Sequence, residues 1–276
     1  MSTIIYPSPI FGPVHSRRLG ISLGINLMPA DGKVCTFDCI YCECGFNGDH
    51  RPSKPVPTRQ EVAAALEQKL QQMQQEGQLP DVLTFAGNGE PTCHPHFAEI
   101  IDDTLLLRDR YCPKAKVCVL SNSTMIHRPS VHDALMRVDD NILKLDTVSP
   151  QYIQRVDRPT GSYDVHAIID RMKAFHGHII IQTTFRRGEC LEVRGECSEV
   201  RGERSEVREK VSVDNTGDEY VLPWLDAVKA IAPQQVMVYT IDRETPAHGL
   251  LKATPEQLNA IRDRVIACGI PCTASY

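Results

Sequence analysis

The sequence lacks an uninterrupted apolar run of the roughly 20 residues that a membrane-spanning helix needs. Its first residues also lack the basic stretch and apolar core of a secretory signal peptide. Positive charge is scarce, since 30 Lys and Arg stand against 35 Asp and Glu and give a net charge of −5. These features predict a cytoplasmic protein with no membrane segment and no general electrostatic attraction to nucleic acid.

Cysteine, in contrast, is abundant, with 11 residues. An odd number of cysteines without an export signal disfavours a disulfide framework and favours reduced thiols or metal ligands. Cys35, Cys39 and Cys42 lie within eight residues, so one compact loop can wrap three thiolates around an iron–sulfur cluster. Because a cubane cluster has four irons, three thiolates leave one iron open for chemistry.

Two alternatives for this cysteine loop remain open. The first is a structural zinc site, although zinc sites usually have paired C-x-x-C arms and a second arm is not evident. The second is an electron-transfer cluster with Cys44 as its fourth ligand. Cys44 lies only one residue beyond Cys42, which is a poor spacing for another corner of the same cube.

Strand and helix patterns alternate after residue 58. Strands are predicted near residues 21–27, 81–86, 116–120, 142–145, 179–184 and 236–240. Parallel strands need crossover helices, so this alternation predicts an α/β fold with a parallel sheet. About six β/α units fit, which predicts one domain over residues 1–276, built as an incomplete (β/α)6 barrel with an N-terminal cluster loop. An open doubly wound sheet is the alternative, but a glycine-rich dinucleotide turn is lacking after the first strand.

Residues 189–210 do not fit this alternation. They read ECLEVRGECSEVRGERSEVREK, a near-perfect seven-residue repeat with one valine in each unit. A coiled coil needs two apolar positions per heptad, so the repeat does not predict one. We interpret the segment as a disordered low-complexity insertion in the loop after the strand at 179–184, since surface loops accept insertions at small entropic cost.

A glycine-rich turn follows directly on the strand predicted at 81–86. It contains Gly87, Gly89 and Glu90. Glycine lets the backbone approach a ligand closely. Read alone, a glycine-rich turn followed by proline is more often only a turn, but its place after a cysteine loop and a strand favours a binding site at the carboxyl end of this strand.

Polar side chains follow the later strands as well. Ser121 and Asn122 come after one strand and Asp146 after the next. Barrel enzymes place their sites at this rim, so the residues favour a site as a set. For each one taken singly, capping of the following helix or turn remains an equal alternative.

The spacing C-x-x-x-C-x-x-C over residues 35–42, with Tyr41 before the third cysteine, resembles the radical S-adenosylmethionine (SAM) superfamily. Further matching segments are GPVHSRRLGISLGINLMP, GNGEPT, KLD, DRPT and YTIDRETP. Together they resemble a subfamily of iron–sulfur oxidoreductases related to the wyosine-forming tRNA enzymes. The resemblance covers nearly the whole chain except the repeat.

This resemblance implies two cofactors and a set of residues for each. A [4Fe–4S] cluster would be held by Cys35, Cys39 and Cys42, and SAM would bind with its methionine amino group on Glu90. Further residues implied in cofactor binding are Tyr41, Gly87, Gly89, Ser121, Asn122 and Asp146. An electron donor such as flavodoxin or ferredoxin would reduce the cluster. Residues that act on the substrate are not identified.

Three functions remain open at this point. The chain is a radical enzyme that modifies its own substrate, an activase that places a radical on a protein partner, or an electron-transfer protein without catalysis. Among named substrates the resemblance ranks tRNA first. Because the chain is acidic overall, RNA binding would need a local basic patch, for which Arg17, Arg18, Arg186 and Arg187 are the candidates.

Overall fold

The computed structural model describes residues 3–16, 20–194 and 207–276. Within these ranges the strands β1 to β11 are Ile10–Ser16, Gly20–Ile25, Val82–Phe85, Lys116–Ser121, Asp140–Lys144, Ile180–Thr184, Arg186–Arg194, Val207–Ser212, Gln235–Tyr239, Leu250–Lys252 and Cys272–Ser275. The helices α1 to α7 are Arg59–Gln75, Phe97–Tyr111, Pro129–Leu135, Pro150–Val156, Val165–Lys173, Asp218–Ile231 and Pro255–Ala267. None of these helices combines the length and apolarity needed to cross a membrane.

One large sheet has the strand order β1-β2-β3-β4-β5-β6-β9-β11. Every neighbouring pair from β2 to β11 is parallel, whereas β1 is antiparallel to β2. The predicted α/β fold with an incomplete parallel barrel is confirmed. The sequence pattern did not reveal the antiparallel edge strand β1 or the last parallel strand β11, which adds a seventh parallel strand to the six that were predicted.

Local sequence signals explain where the helices begin. Thr58 and Glu61 form a capping box at the start of α1, as their spacing predicts. The buried face of α1 repeats every three to four residues, at Val62, Leu66, Leu70 and Met73. Thr254 and Gln257 form a second capping box at the start of α7.

Trp224 fixes helix α6 against the carboxyl ends of two strands. Its indole is 1% exposed and packs edge-to-face on Phe185, with ring centroids 5.4 Å apart. The indole Nε1 donates to the backbone oxygen of Leu145 at 3.0 Å, so its polar atom is satisfied inside the core. This contact holds helix α6 against the carboxyl ends of β5 and β6, the edge of the sheet at which the candidate site lies.

A second, three-stranded sheet has the order β10-β7-β8. Its strands β7 and β8 include residues 189–194 and 207–210 of the predicted insertion, so the prediction of disorder is wrong for these ends. The reason is that β7 starts as an anchored strand paired with β10. Cys190 then adds an apolar contact, because it is 3% exposed and packs in one cluster with Ile40 and Tyr152. Residues 195–206 lie outside the described residues.

Replacement of residues 195–206 by a two-residue Asn-Gly turn tests whether the paired ends of β7 and β8, rather than residues 195–206, stabilise the fold. Arg194 and Val207 are the last paired residues of the hairpin within the part of the chain that the structure describes, so a short turn can join the two strands there. The free energy of unfolding in urea should stay within about 1–2 kcal/mol of the original, with any change toward greater stability because the loop is shorter. Deletion of residues 189–210, which removes Cys190, should instead lower the free energy of unfolding. An equal effect of the two changes would show that the paired strand ends do not stabilise the fold more than residues 195–206 do.

Candidate functional site

The loop that carries the cysteines crosses the carboxyl end of β3 and is hydrogen-bonded to the turn that follows it. Val34 donates from its backbone N to Asn88 O at 2.9 Å, and Glu90 donates from its backbone N to Val34 O at 3.1 Å. Between these bonds lies Gly89, with φ of +141°. A Cβ atom there would lie 1.7 Å from Val34 O, so only glycine permits this crossing.

Gly87 has a similar role earlier in the same turn. Its φ is +131°, and a Cβ atom would come within 2.7 Å of the Asn26 side chain. The structure thus gives Gly87 and Gly89 a packing role, and their contact with a cofactor stays a prediction. The glycines make room for the chain itself, because the turn packs against the loop that precedes it.

Glu90 lies 2% exposed at the centre of a hydrogen-bonded cluster. Its Oε1 accepts from Thr92 Oγ1 at 2.5 Å and from Ser121 Oγ at 2.8 Å, and its Oε2 accepts from Asn122 N at 2.6 Å. Burial raises the pKa of Glu90, although these hydrogen bonds act in the opposite direction. Oε2 accepts fewer of these hydrogen bonds than Oε1, so it has capacity for a further donor.

Ser121 and Asn122 join Glu90 to the cysteine loop. The Asn122 side chain donates from Nδ2 to Cys35 Sγ at 3.6 Å and to Thr36 Oγ1 at 2.9 Å. Three residues predicted to bind cofactor therefore lie together beside one of the predicted metal ligands. Ser121 contacts Glu90 with its side chain and Asn122 with its backbone N, and the binding of a cofactor by Ser121 and Asn122 stays a prediction.

The three thiols of the loop differ in their electrostatic surroundings. Burial, followed by the nearby Glu90 carboxylate, raises the pKa of Cys35 to about 12, and burial followed by Asp157 raises that of Cys39 well above its usual range. A hydrogen bond from the Cys44 thiol lowers the pKa of Cys42 to about 6 against the effect of burial. Metal coordination deprotonates such thiols outright, so these differences apply to the metal-free loop.

Lys33 is a charged residue that the sequence pattern did not single out. Its side chain is almost fully buried, and Nζ donates to the backbone oxygen of Gly45 at 2.7 Å. Gly45 is tied to the third cysteine, since its backbone N donates to Cys42 O at 3.0 Å. Burial alone would lower the pKa of Lys33, but the neighbouring cysteines, Cys42 first, raise it. No composition or periodicity signal marks this lysine, because its importance depends on where the loop folds back.

The donor set of the loop fits a cluster better than a single ion. In the described ranges, no three His, Cys, Asp or Glu side chains come close enough together to hold one metal ion. A four-iron cluster makes a different demand, because each thiolate binds its own iron and the sulfurs need not meet at one point. The loop provides three separate thiols and a buried ammonium, so its side chains fit a four-iron cluster chemically.

Tyr41 lies in a buried network of four charged residues. Its hydroxyl is 2.5 Å from Asp146 Oδ2 and 2.8 Å from Asp157 Oδ1. Arg186 lies over the ring with Cζ 3.8 Å from the centroid, and Lys144 Nζ lies 4.8 Å from it. The network therefore fixes the ring of the residue that precedes Cys42.

The two carboxylates of this network cannot both accept the single phenol proton. Burial, and then the charge of Asp146, raises the pKa of Asp157 to about 7. Although burial alone would raise it, the charges of Lys144 and then Arg186 lower the pKa of Asp146. Asp146, the more acidic of the two, is therefore the better acceptor for the phenol proton.

Asp146 and Arg186 differ from their sequence-based expectations. Both side chains are 0% exposed, and Arg186 Nη2 donates to Asp146 Oδ2 at 3.0 Å. Asp146 is therefore enclosed by protein donors and positions Tyr41, and its contact with a cofactor stays a prediction. The predicted phosphate contact of Arg186 is wrong for the same reason, since a guanidinium enclosed in an ion pair does not reach RNA.

The remaining candidates for a basic patch give little support to RNA binding. Arg187 is partly exposed, and its Nε donates to Lys252 O at 2.9 Å. Arg17 and Arg18 lie outside the described residues. The described portion of the rim therefore does not present the paired arginines that the sequence suggested.

A cavity of about 410 Å³ opens beside the cysteine loop. Its lining residues are Ile241, Arg243, Glu244, Thr245, Ala247, His248, Gly249 and Leu250. The wall is tied to the loop by two bonds: Ala247 N donates to Ile40 O at 3.1 Å, and Arg243 Nη1 donates to Glu43 Oε2 at 2.7 Å. The sequence pattern places polar residues at the start of this segment but does not indicate a cavity.

Comparison with known proteins gives a family match. The model of the radical SAM superfamily matches residues 31–192. A UPF0026 protein of Helicobacter pylori is 33% identical over 189 residues, which are 66% of this chain and 58% of that protein. A UPF0026 protein of Methanocaldococcus jannaschii is 31% identical over 182 residues, 63% of this chain and 52% of that protein. The matched region thus spans little more than half the length of these relatives.

Solved structures share the fold at low sequence identity. A radical SAM methyltransferase from Sphaerobacter thermophilus aligns with a TM-score of 0.63 at 13% identity, covering 92% of this chain and 66% of that one. SuiB from Streptococcus suis, in a structure bound to S-adenosylmethionine, aligns with a TM-score of 0.59 at 14% identity and covers 92% and 50%. These alignments support the incomplete-barrel architecture.

Gly89→Ala tests the crossing of the cysteine loop over β3. The variant should lose at least about 1–3 kcal/mol from the backbone conformation alone, and more from the contact with Val34 O. Chemical denaturation of the metal-free protein measures this loss. Gly48→Ala is the matched control in the same loop, since a Cβ there meets nothing within 4 Å; equal stability of the two variants would refute the close crossing.

Arg186→Met tests the buried ion pair. Removal of one partner leaves the Asp146 carboxylate with less compensation, and the free energy of unfolding should fall by about 3–5 kcal/mol. Arg187→Met, at the neighbouring partly exposed position, should change it by only about 0.5 kcal/mol. If both variants unfold at the same urea concentration as the original protein, the network around Tyr41 does not stabilise the fold.

Proposed function

This chain belongs to the radical SAM superfamily, and we propose that it cleaves SAM reductively at a [4Fe–4S] cluster held by Cys35, Cys39 and Cys42. When bound, the reduced cluster supplies the electron that converts SAM into methionine and a 5′-deoxyadenosyl radical, which abstracts hydrogen from a substrate. The chain's own role is to hold the thiols, orient the cofactor and exclude water from the radical.

The arrangement of Glu90 beside Cys35 is the observation that carries this proposal. Asn122 contacts Cys35 Sγ with its side chain and Glu90 Oε2 with its backbone N. A corner of the cluster and a buried carboxylate would therefore be neighbours. Glu90 Oε2 is suited to accept the ammonium group of the methionine moiety, since it has acceptor capacity left in a site shielded from water.

The Tyr41 side chain would then provide a rigid surface next to Cys42. Its hydroxyl is held by two carboxylates and its ring by Arg186, so it does not need to reorganise when ligands bind. Pre-organisation of this kind lowers the entropic cost of positioning reactants. The crystal structure of SuiB with bound SAM supports the assignment of this cofactor to the shared fold.

The cavity lined by residues 241–250 is the proposed place of entry for a reacting group. Its volume of about 410 Å³ lies in the range of small-molecule sites, and it borders the loop of the cysteines. We therefore propose a substrate group of small-molecule size, with a one-electron donor of the flavodoxin or ferredoxin type as a partner. A tRNA substrate stays a prediction from the resemblance.

Anaerobic reconstitution with iron and sulfide tests the proposal. The protein should bind four irons per chain and, with dithionite and SAM, should release 5′-deoxyadenosine, because three thiolates leave one iron open. Alanine at position 35, 39 or 42 should abolish both, whereas the exposed Cys268→Ala should change neither.

Cys44→Ala separates this function from electron transfer. The variant should keep the cluster and the cleavage, because the Cys44 thiol donates to the backbone oxygen of Gly87 at 3.4 Å and is not assigned to an iron. Loss of the cluster in Cys44→Ala, together with no 5′-deoxyadenosine from the original protein, would favour a four-cysteine electron-transfer cluster. Stoichiometric zinc without iron would contradict both functions.

A further inference from the structure

Lys33 is a cation enclosed within the cysteine loop. Its side chain is 1% exposed, and Nζ donates at 2.7 Å to the backbone oxygen of Gly45, whose own backbone N donates to Cys42 O at 3.0 Å. Among the described ion pairs, its carboxylate partner is Asp38, with Oδ1 at 3.7 Å and a side chain that is 29% exposed. The charge of Lys33 is therefore only weakly compensated by protein groups.

The other charges near the loop are more closely balanced. Lys144 influences Cys39, but its ammonium lies 3.4 Å from Asp146, and Asp157 acts on the same thiol with the opposite sign. Glu90 adds negative charge near Cys35. Lys33 thus provides a positive potential inside the loop. Its charge interacts with Cys42, Cys35 and Cys39.

A fixed buried charge acts strongly on the charge state of a neighbouring group, because water and salt screen it poorly. Reduction of an iron–sulfur cluster takes one electron from a donor and adds one negative charge, and charges and hydrogen bonds around the sulfurs set its potential. A lysine in this place favours the reduced state. Burial of the Lys33 ammonium carries a desolvation penalty. The negative charge of the cluster and its thiolates would offset that penalty.

We propose that the Lys33 ammonium is a positioning charge that raises the reduction potential of the cluster bound by Cys35, Cys39 and Cys42. The inference rests on the proposed function, since it needs the cluster. It assigns to Lys33 a role in making one-electron reduction accessible to a donor of the flavodoxin or ferredoxin type, in addition to its bond to Gly45.

Redox titration of the reconstituted protein, followed by electron paramagnetic resonance, tests the role of Lys33. Lys33→Gln keeps a donor for Gly45 O but removes the charge, and the equilibrium constant for reduction should fall about tenfold, which equals a shift of about 59 mV for one electron. Lys33→Arg keeps the charge and should retain most of the original potential. Lys54→Gln, an exposed lysine in the same loop, should leave it unchanged.

Each outcome bears on one proposal or the other. Absence of a four-iron cluster in the original protein would defeat the proposed function before any variant is compared. If Lys33→Gln and Lys33→Arg both load iron and share the original potential, the tuning role is overturned. Failure of both to load would show that the shape of Lys33 matters and not its charge, which also overturns it. Loading by Lys33→Arg but not Lys33→Gln supports a role of the charge.

Discussion

The site depends on one close crossing of backbone over backbone. The loop that carries the cysteines is hydrogen-bonded to the turn after β3 through Val34, and Gly89 makes the approach possible because a Cβ atom would lie 1.7 Å from Val34 O. The same turn continues into Glu90, whose own backbone N closes the contact. The same backbone contact therefore positions both the thiols and the buried carboxylate, so a shift of one segment would displace the other.

A second constraint acts on the opposite side of the loop. Asp146, Asp157, Lys144 and Arg186 surround Tyr41 with opposite charges whose desolvation is costly unless each finds its partners. Such a network adds less to stability than to uniqueness of conformation, since it tolerates only one orientation of the phenol. Rigidity beside the third cysteine is consistent with a site that must hold a reactive radical in place.

Much of the architecture could be predicted because it depends on local signals. The capping box at Thr58 and the alternation of apolar strands with amphipathic helices need no tertiary knowledge, and the spacing of Cys35, Cys39 and Cys42 marks the loop directly. Arg186 could not be placed, because it follows a strand end and only the folded neighbour Asp146 decides whether its side chain turns inward. Lys33 was missed for a related reason, since its partners are thiols and a carbonyl brought together by the loop.

Gly87 and Gly89 show that a motif predicted from its ligand chemistry also has a role in packing the chain. A glycine-rich turn before Glu90 predicts close approach to a ligand, yet the atoms that a Cβ would strike belong to Asn26 and Val34 of the same chain. The conformational freedom of glycine brings two protein segments together, and the buried carboxylate of Glu90 follows directly on their contact. Loss of cofactor binding on substitution of either glycine would therefore include the effect of displacing the cysteine loop, whereas the same loss on substitution of Glu90 would report the missing acceptor that we propose.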